Sequence, residues 1–169
     1  MFTIEPATLN DIPDIMSLIE ISLPLLPDPD WFVSDTEEFF ARHIEEEGFT
    51  LKAVSEEDGR MAAFLTIRIP GLAEDNCGYS LSYPENDLLR VAHMDTCVVH
   101  PDYRGNRLES RLIAEAEKRL KESGHTILLG TVHPDNVASV KSFLKNGFHI
   151  EKTLKKYGGK LRHIMGKKI

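Results

Sequence analysis

The sequence is short of the features that mark secreted, membrane-spanning and metal-binding proteins. Its 169 residues include two cysteines, Cys77 and Cys97, and no C-x-x-C pair. A disulfide framework and a zinc ribbon are therefore not expected, and a reducing cytoplasm is the expected compartment. No run of about 18 apolar residues occurs, so no membrane span is predicted. The first residues, 1–6, lack the basic and long apolar regions of a secretory signal.

Basic residues are also in short supply. Twenty Lys and Arg stand against 27 Asp and Glu, which gives a formal charge of −7. Nucleic-acid binding is not expected, because it needs a basic face. A cationic small substrate is compatible with this charge but not implied by it. The acidic runs 45–47 and 56–58 are typical of solvated surface.

The length and the residue mix predict a single domain over residues 1–169. Apolar residues make up 41% and charged residues 28%, as in an ordinary globular protein. A first strand, two helices and a hairpin of strands over 49–55 and 61–69 are predicted in the first half. Ser34 or Asp35 is expected to cap the second helix.

The stretch 91–120 has the most informative pattern. It begins as a strand, breaks at His100-Pro101-Asp102, and resumes as a helix after Arg104-Gly105-Asn106. The first N–H groups of a helix have no intrahelical partners, and the helix dipole adds positive potential there. A strand, a polar turn and a helix start therefore predict a binding site for a phosphate-bearing ligand.

The strand before this turn presents two faces. His93, Asp95, Cys97 and Val99 alternate onto one of them. Residues 126–132 are apolar and β-branched, which predicts a buried strand parallel to the first through a helical crossover. The fold class that follows is α/β, with a central twisted mixed sheet of about seven strands and about four flanking helices.

Two blocks of sequence point to a family. The segment VHPDYRG at 99–105 resembles the coenzyme A signature of the GNAT superfamily of N-acetyltransferases, and NVASVKSFLKNGF at 136–148 resembles the second block of that family. The order of elements over 2–167 is similar to that of a GNAT chain. The resemblance implies a GNAT-like domain that uses acetyl-coenzyme A as acyl donor, with no metal.

The resemblance also implies roles for individual residues. The strand end should pair with the pantetheine arm, the turn should hold the pyrophosphate, and a strand N–H near Val98 should stabilise the oxyanion. The coenzyme-binding residues implied are Cys97, Val98, Val99, Arg104, Gly105, Asn106, Arg107, Leu108, Glu109, Ser110, Asn136, Ser139 and Phe143.

Three residues depart from the family pattern. Arg107 and Glu109 stand where the family turn usually has glycine, which lets backbone approach phosphate closely. Arg107 could contact a phosphate directly, whereas Glu109 would repel one unless it points away. Phe143 stands where many members have the tyrosine that protonates the leaving thiolate. Either another group, such as Tyr157 or water, protonates the leaving thiolate, or the thiolate leaves without a proton.

The predicted catalytic residues are His93, Asp95 and Tyr157. Members of the family often connect the acceptor amine to this strand through water, and a base is needed because the attacking amine must be neutral. The alternative for His93 and Asp95 is a satisfied core histidine and a structural carboxylate. Likewise, Trp31 and Phe32 are expected either to line the acceptor pocket or to pack in a core or lid.

The function that the resemblance implies is transfer of an acetyl group to a primary amine of a small molecule or peptide, by direct attack in a ternary complex. Two alternatives stay open: a non-catalytic coenzyme A-binding or regulatory module, and a transferase of another acyl group. No nucleic-acid or membrane partner is expected, and a homodimer is possible.

Arg104→Ala should weaken coenzyme binding without unfolding the protein, because Arg104 opens the turn that holds the pyrophosphate. Calorimetry with acetyl-coenzyme A measures the dissociation constant, and circular dichroism checks the fold. An unchanged dissociation constant would show that the turn is misassigned.

Overall fold

The computed structural model describes residues 1–33 and 35–169, and it confirms an α/β fold. The strands are β1 Phe2–Pro6, β2 Gly48–Ser55, β3 Met61–Arg68, β4 Val91–Val99, β5 Ile127–Val132, β6 His149–Lys156 and β7 Lys160–Lys168. The helices are α1 Ile12–Ser22, α2 Glu37–Glu45, α3 Glu85–Leu88, α4 Leu108–Glu122 and α5 Val137–Lys145. Helix α3 is a single turn that was not predicted from the sequence.

Seven strands form one mixed sheet in the order β1-β2-β3-β4-β5-β7-β6. Strands β4 and β5 are parallel, as predicted, and the predicted hairpin of β2 and β3 is antiparallel. The ladder between β4 and β5 covers three residue pairs, from Val91↔Ile127 to His93↔Leu129. Both strands continue beyond these pairs.

The chain divides into two compact units, each built from separate stretches. The first comprises Met1–Arg68 and Asp95–Lys118, and the second comprises Ile69–Met94 and Arg119–Ile169. Strand β4 and helix α4 each run from one unit into the other. The single-domain organisation stays a prediction.

The core of the first unit forms where α1 packs on the sheet. Apolar residues at helical spacing give α1 one buried face, formed by Ile15, Leu18 and Ile19. These side chains pack with Phe40 of α2, Phe64 of β3 and Val98 of β4. Burial of this face fixes α1 over the even-numbered side of β4.

The second unit has its own core around β5. Val91, Ile127, Leu129 and Ile164 cluster there with Cys77. The β-branched and aliphatic composition of β5 suits a strand that is buried on both faces, and five of its six residues are buried. Strand β7 pairs with β5 on one side and with β6 on the other, so β6 is an edge strand.

The N-terminus of α2 differs from the sequence prediction. The cap is Thr36, whose side-chain oxygen accepts a hydrogen bond from the Phe39 amide at 3.2 Å. Asp35 does not cap the helix, because its carboxyl is hydrogen-bonded to a residue of β4. Ser34, the other predicted cap, lies outside the described residues.

Candidate functional site

The turn between β4 and α4 is held in a defined conformation. The His100 amide donates to the Ala62 carbonyl at 2.8 Å, and the His100 ring nitrogen Nδ1 accepts from the Asp102 amide at 3.1 Å. Gly105 then adopts a φ of +83°, in the left-handed region that glycine enters without cost. A Cβ built on Gly105 would meet no atom within 4 Å, so open space lies beside it.

The backbone amides after Gly105 precede the hydrogen-bond ladder of α4. The Arg111 amide donates to the Arg107 carbonyl at 3.1 Å, and the amides at the start of a helix lie before that first bond. The side chain of Asn106 donates to the Tyr103 carbonyl at 2.8 Å, so it engages an acceptor of the turn and leaves the amide donors to other partners. Such donors suit an anion, and the role predicted for 104–110 in holding the pyrophosphate stays a prediction.

The two departures from glycine now have a structural setting. Arg107 has a φ of +57°, a conformation that costs a non-glycine residue about 1 kcal/mol and accounts for glycine being usual there. Burial raises the pKa of the Cys97 thiol well above its usual range, and the negative charge of Glu109 adds to this effect. Cys97 therefore stays a thiol and is a poor nucleophile.

A cavity of about 170 Å³ lies beside the end of β4 in the first unit. Leu23, Leu26 and Phe32 line one part of it, and Cys97 and Arg104 line another. The walls are mostly apolar with one cation, which suits a ligand with an apolar body and a charged end. Phe32 also packs against the core of the first unit. The acceptor-pocket role considered for it stays a prediction.

The predicted catalytic residues of β4 differ in exposure. His93 is buried, with 6% of its surface exposed, and its Nε2 accepts a hydrogen bond from the Cys77 amide at 3.1 Å. That geometry favours the core-histidine interpretation. Asp95 is exposed on the odd-numbered side of β4, where Cys97 and Val99 are half-buried. Of the two, Asp95 has the access that a proton acceptor needs.

Asp35 is a site candidate that sequence reasoning missed. The Thr96 hydroxyl of β4 donates to its carboxyl at 3.3 Å. Burial raises the pKa of Asp35, and the hydrogen bond from Thr96 offsets part of that effect. Asp35 is hydrogen-bonded to the even-numbered side of β4 near its end. Asp95 lies on the odd-numbered side. The contact between Asp35 and Thr96 joins positions 61 residues apart, which no local pattern reveals.

The second block of the predicted site lies in the second unit. The Asn136 side-chain oxygen accepts from the Ser139 amide at 3.3 Å and so caps α5. Phe143 is buried and packs edge-on against Phe148, with ring centroids 5.1 Å apart. A Cβ on Gly130 of β5 would lie 2.9 Å from the Phe143 ring, so glycine allows this close packing.

Tyr157 occupies the turn between β6 and β7. Its φ is +50°, and its hydroxyl lies 3.0 Å from the Thr131 hydroxyl near the end of β5. About half of its surface is exposed. The hydroxyl is therefore accessible and held by a hydrogen bond, as a proton donor at the end of β5 would be.

Comparison with known proteins identifies the family. The model of the acetyltransferase (GNAT) family matches residues 14–148, so the chain belongs to that family. No curated protein shows a significant sequence match. Among the described residues, no helix is both long and apolar enough to cross a bilayer, and no group of three potential metal ligands occurs.

Solved structures share the fold at low sequence identity. One is the ribosomal-protein-S18-alanine N-acetyltransferase from Escherichia coli, with a TM-score of 0.73 and 20% identity over 100% of this chain and 94% of that one. A GNAT-family acetyltransferase from Streptococcus pneumoniae has a TM-score of 0.71 and 21% identity, over 100% of each chain. A chain of the NatC complex bound to Gag peptide and CoA has a TM-score of 0.74 and 12% identity, over 99% of this chain and 98% of that one.

Asp35→Asn should change the pH dependence of stability. Because the folded protein binds the Asp35 proton more tightly than the unfolded chain does, the wild type loses stability as pH rises through the raised pKa. The free energy of unfolding of the variant should equal that of the wild type below about pH 3.9, the ordinary pKa of aspartate. At pH 7 it should be larger than that of the wild type. Urea unfolding at both pH values measures this, with the exposed Glu57→Gln as control. A variant less stable than the wild type at pH 7 would contradict it.

Proposed function

We propose that the protein transfers an acetyl group from acetyl-coenzyme A to a primary amine of a small molecule or peptide, by direct attack in a ternary complex. The observation that carries this proposal is the turn after β4, where backbone amides precede the helical ladder beside an apolar cavity. Membership of the acetyltransferase family supports it.

The coenzyme would be held by two kinds of contact. Backbone groups of 97–99 would hydrogen-bond the pantetheine arm in the manner of an added strand. Amides of 104–110 would bind the pyrophosphate, and the Arg104 side chain, which lines the cavity, would add a charge-assisted contact. Asn136, Ser139 and Phe143 remain predicted contacts from the second block.

The bound donor supplies an acetyl group activated as a thioester. A strand N–H near Val98 is the predicted donor to the carbonyl oxygen, where negative charge develops as the amine attacks. One such donor contributes about 3 kcal/mol to the lowering of the barrier. Fixing the amine and the thioester together supplies the rest by proximity.

A carboxylate would accept the proton of the amine. Asp95 is our candidate because it is exposed on the same side of β4 as Cys97. His93 remains a weaker candidate, since its Nε2 lone pair already accepts from the Cys77 amide. Phe143 has no proton to give the leaving thiolate. A thiol with a pKa near that of cysteine, about 8.5, leaves without one at modest cost, and Tyr157 is the candidate donor otherwise.

The test combines binding and turnover. Calorimetry should show heat with acetyl-coenzyme A, and coenzyme release should appear with at least one member of a panel of small amines and peptides with free amino termini. Arg104→Ala should weaken acetyl-coenzyme A binding by about tenfold or more, as expected for loss of a charge-assisted hydrogen bond. The exposed Arg42→Ala in α2 is the matched control and should bind as the wild type does.

The outcomes separate the alternatives. Absence of heat from a folded sample would rule the proposal out. Tight binding without turnover of any amine would favour a non-catalytic coenzyme A-binding module, and stronger competition by longer acyl-coenzymes would favour another acyl group. Cytoplasmic location and a homodimer stay predictions.

A further inference from the structure

A buried hydroxyl of the first unit has no hydrogen-bond partner among the residues that the structure describes. It belongs to Ser22, the last residue of α1. A serine in a helix can pair its hydroxyl with a carbonyl one turn earlier, and buried polar groups are almost always paired. An unpaired one costs free energy, so this hydroxyl does not stabilise α1. A ligand site beside Ser22 would account for it.

Ser22 lines the cavity of about 170 Å³ beside the end of β4, and every described residue that lines it lies in the first unit. Leu23, Leu26 and Phe32 give the cavity apolar walls. An apolar cavity of about 150 Å³ is large enough for benzene. Because a serine hydroxyl turns about a single bond, Ser22 can direct it at a ligand that enters the cavity. The cavity thus suits a small apolar body that carries a polar group.

The loop that lines this cavity lies in an acidic segment. Residues 20–38 contain six Asp and Glu and no Lys, Arg or His. Glu20, Asp28 and Asp30 of this segment are exposed. Arg104 supplies positive charge where it lines the cavity, but the proposed function assigns that charge to the pyrophosphate. An acidic segment attracts a cation and repels a carboxylate or a phosphate, which indicates that the polar group of the ligand is cationic.

The pantetheine arm of the coenzyme is the other group that could reach the cavity, since Cys97 and Val99 line it. The arm has hydroxyl and amide groups but no positive charge, and the diphosphate joined to it is anionic. It would pair the Ser22 hydroxyl and leave the acidic segment unexplained. A protonated amine accounts for both features, and for the apolar walls when its carbon body is apolar.

We propose that the acceptor binds in this cavity and that the Ser22 hydroxyl accepts a hydrogen bond from its amino group. The acceptor is then a small primary amine that has an apolar body of the size of a benzene ring and no anionic group. Leu23, Leu26 and Phe32 contact that body. The inference rests on the proposed function, because it presumes an amine acceptor. Amino acids and phosphorylated amines are poor acceptors, since the acidic segment repels their anionic groups.

The test uses matched probes and NMR of the protein saturated with coenzyme A. Benzylamine carries an ammonium on a ring, phenylacetate carries a carboxylate on a ring, and ethylamine carries an ammonium without a ring. Benzylamine should give saturable shifts of amides within 19–32. The other two probes should bind at least about tenfold more weakly, because one is repelled and the other buries little apolar surface.

Ser22→Ala should weaken benzylamine binding by about tenfold, as expected for loss of a hydrogen bond to a charged group. It should leave acetyl-coenzyme A binding, measured by calorimetry, unchanged. It should not lower the midpoint of urea unfolding, because the hydroxyl has no partner among the described residues. Ser17→Ala removes an exposed hydroxyl of the same helix and should leave benzylamine binding unchanged.

Each other outcome overturns the inference. Equal binding of phenylacetate or ethylamine removes the proposed selection, and an equal loss in Ser17→Ala removes the specific role of Ser22. A lower unfolding midpoint in Ser22→Ala would give its hydroxyl a structural role, and weaker acetyl-coenzyme A binding would assign it to the coenzyme. If the wild type binds acetyl-coenzyme A but not benzylamine, the inference fails while the proposed function stands. If it fails to bind acetyl-coenzyme A, the proposed function fails and the inference fails with it.

Discussion

The backbone amides at the start of α4 are the constraint on which the site depends. A helix start leaves donors without intrahelical acceptors, and burial without a partner would cost 1–3 kcal/mol or so for each. Gly105 has a left-handed backbone conformation that turns the chain into α4. The space beside Gly105 is open, since no atom lies within 4 Å of a Cβ built there. The strand before the turn and the cavity beside it acquire their proposed roles from this one arrangement.

Strand β4 brings different chemistry to its two sides. On the even-numbered side, Val98 packs into the core under α1, and Thr96 binds the Asp35 carboxyl. On the odd-numbered side, Asp95 is exposed and Cys97 is a thiol kept protonated by burial. Core packing on one side therefore fixes the strand whose other side stays accessible for a ligand.

Much of the fold could be predicted from the sequence, because periodicity and turn residues report local structure. The stripe of α4, from Leu108 to Leu120, is buried as its spacing predicts. Contacts between distant segments left no such signal: Asp35 was expected to cap a helix and instead binds Thr96. The turn after β4 was predictable as a motif, whereas the hydrogen bond between Tyr157 and Thr131 joins positions 26 residues apart and left no local pattern.

The most direct measurement is hydrogen exchange of backbone amides with and without acetyl-coenzyme A. The account predicts that amides within 105–110 exchange at least about tenfold more slowly in the complex, because a diphosphate accepts their hydrogen bonds. Amides of the exposed 56–59 turn in the same unit should exchange at unchanged rates. Exchange at 105–110 that is unaffected by saturating acetyl-coenzyme A would contradict the central claim.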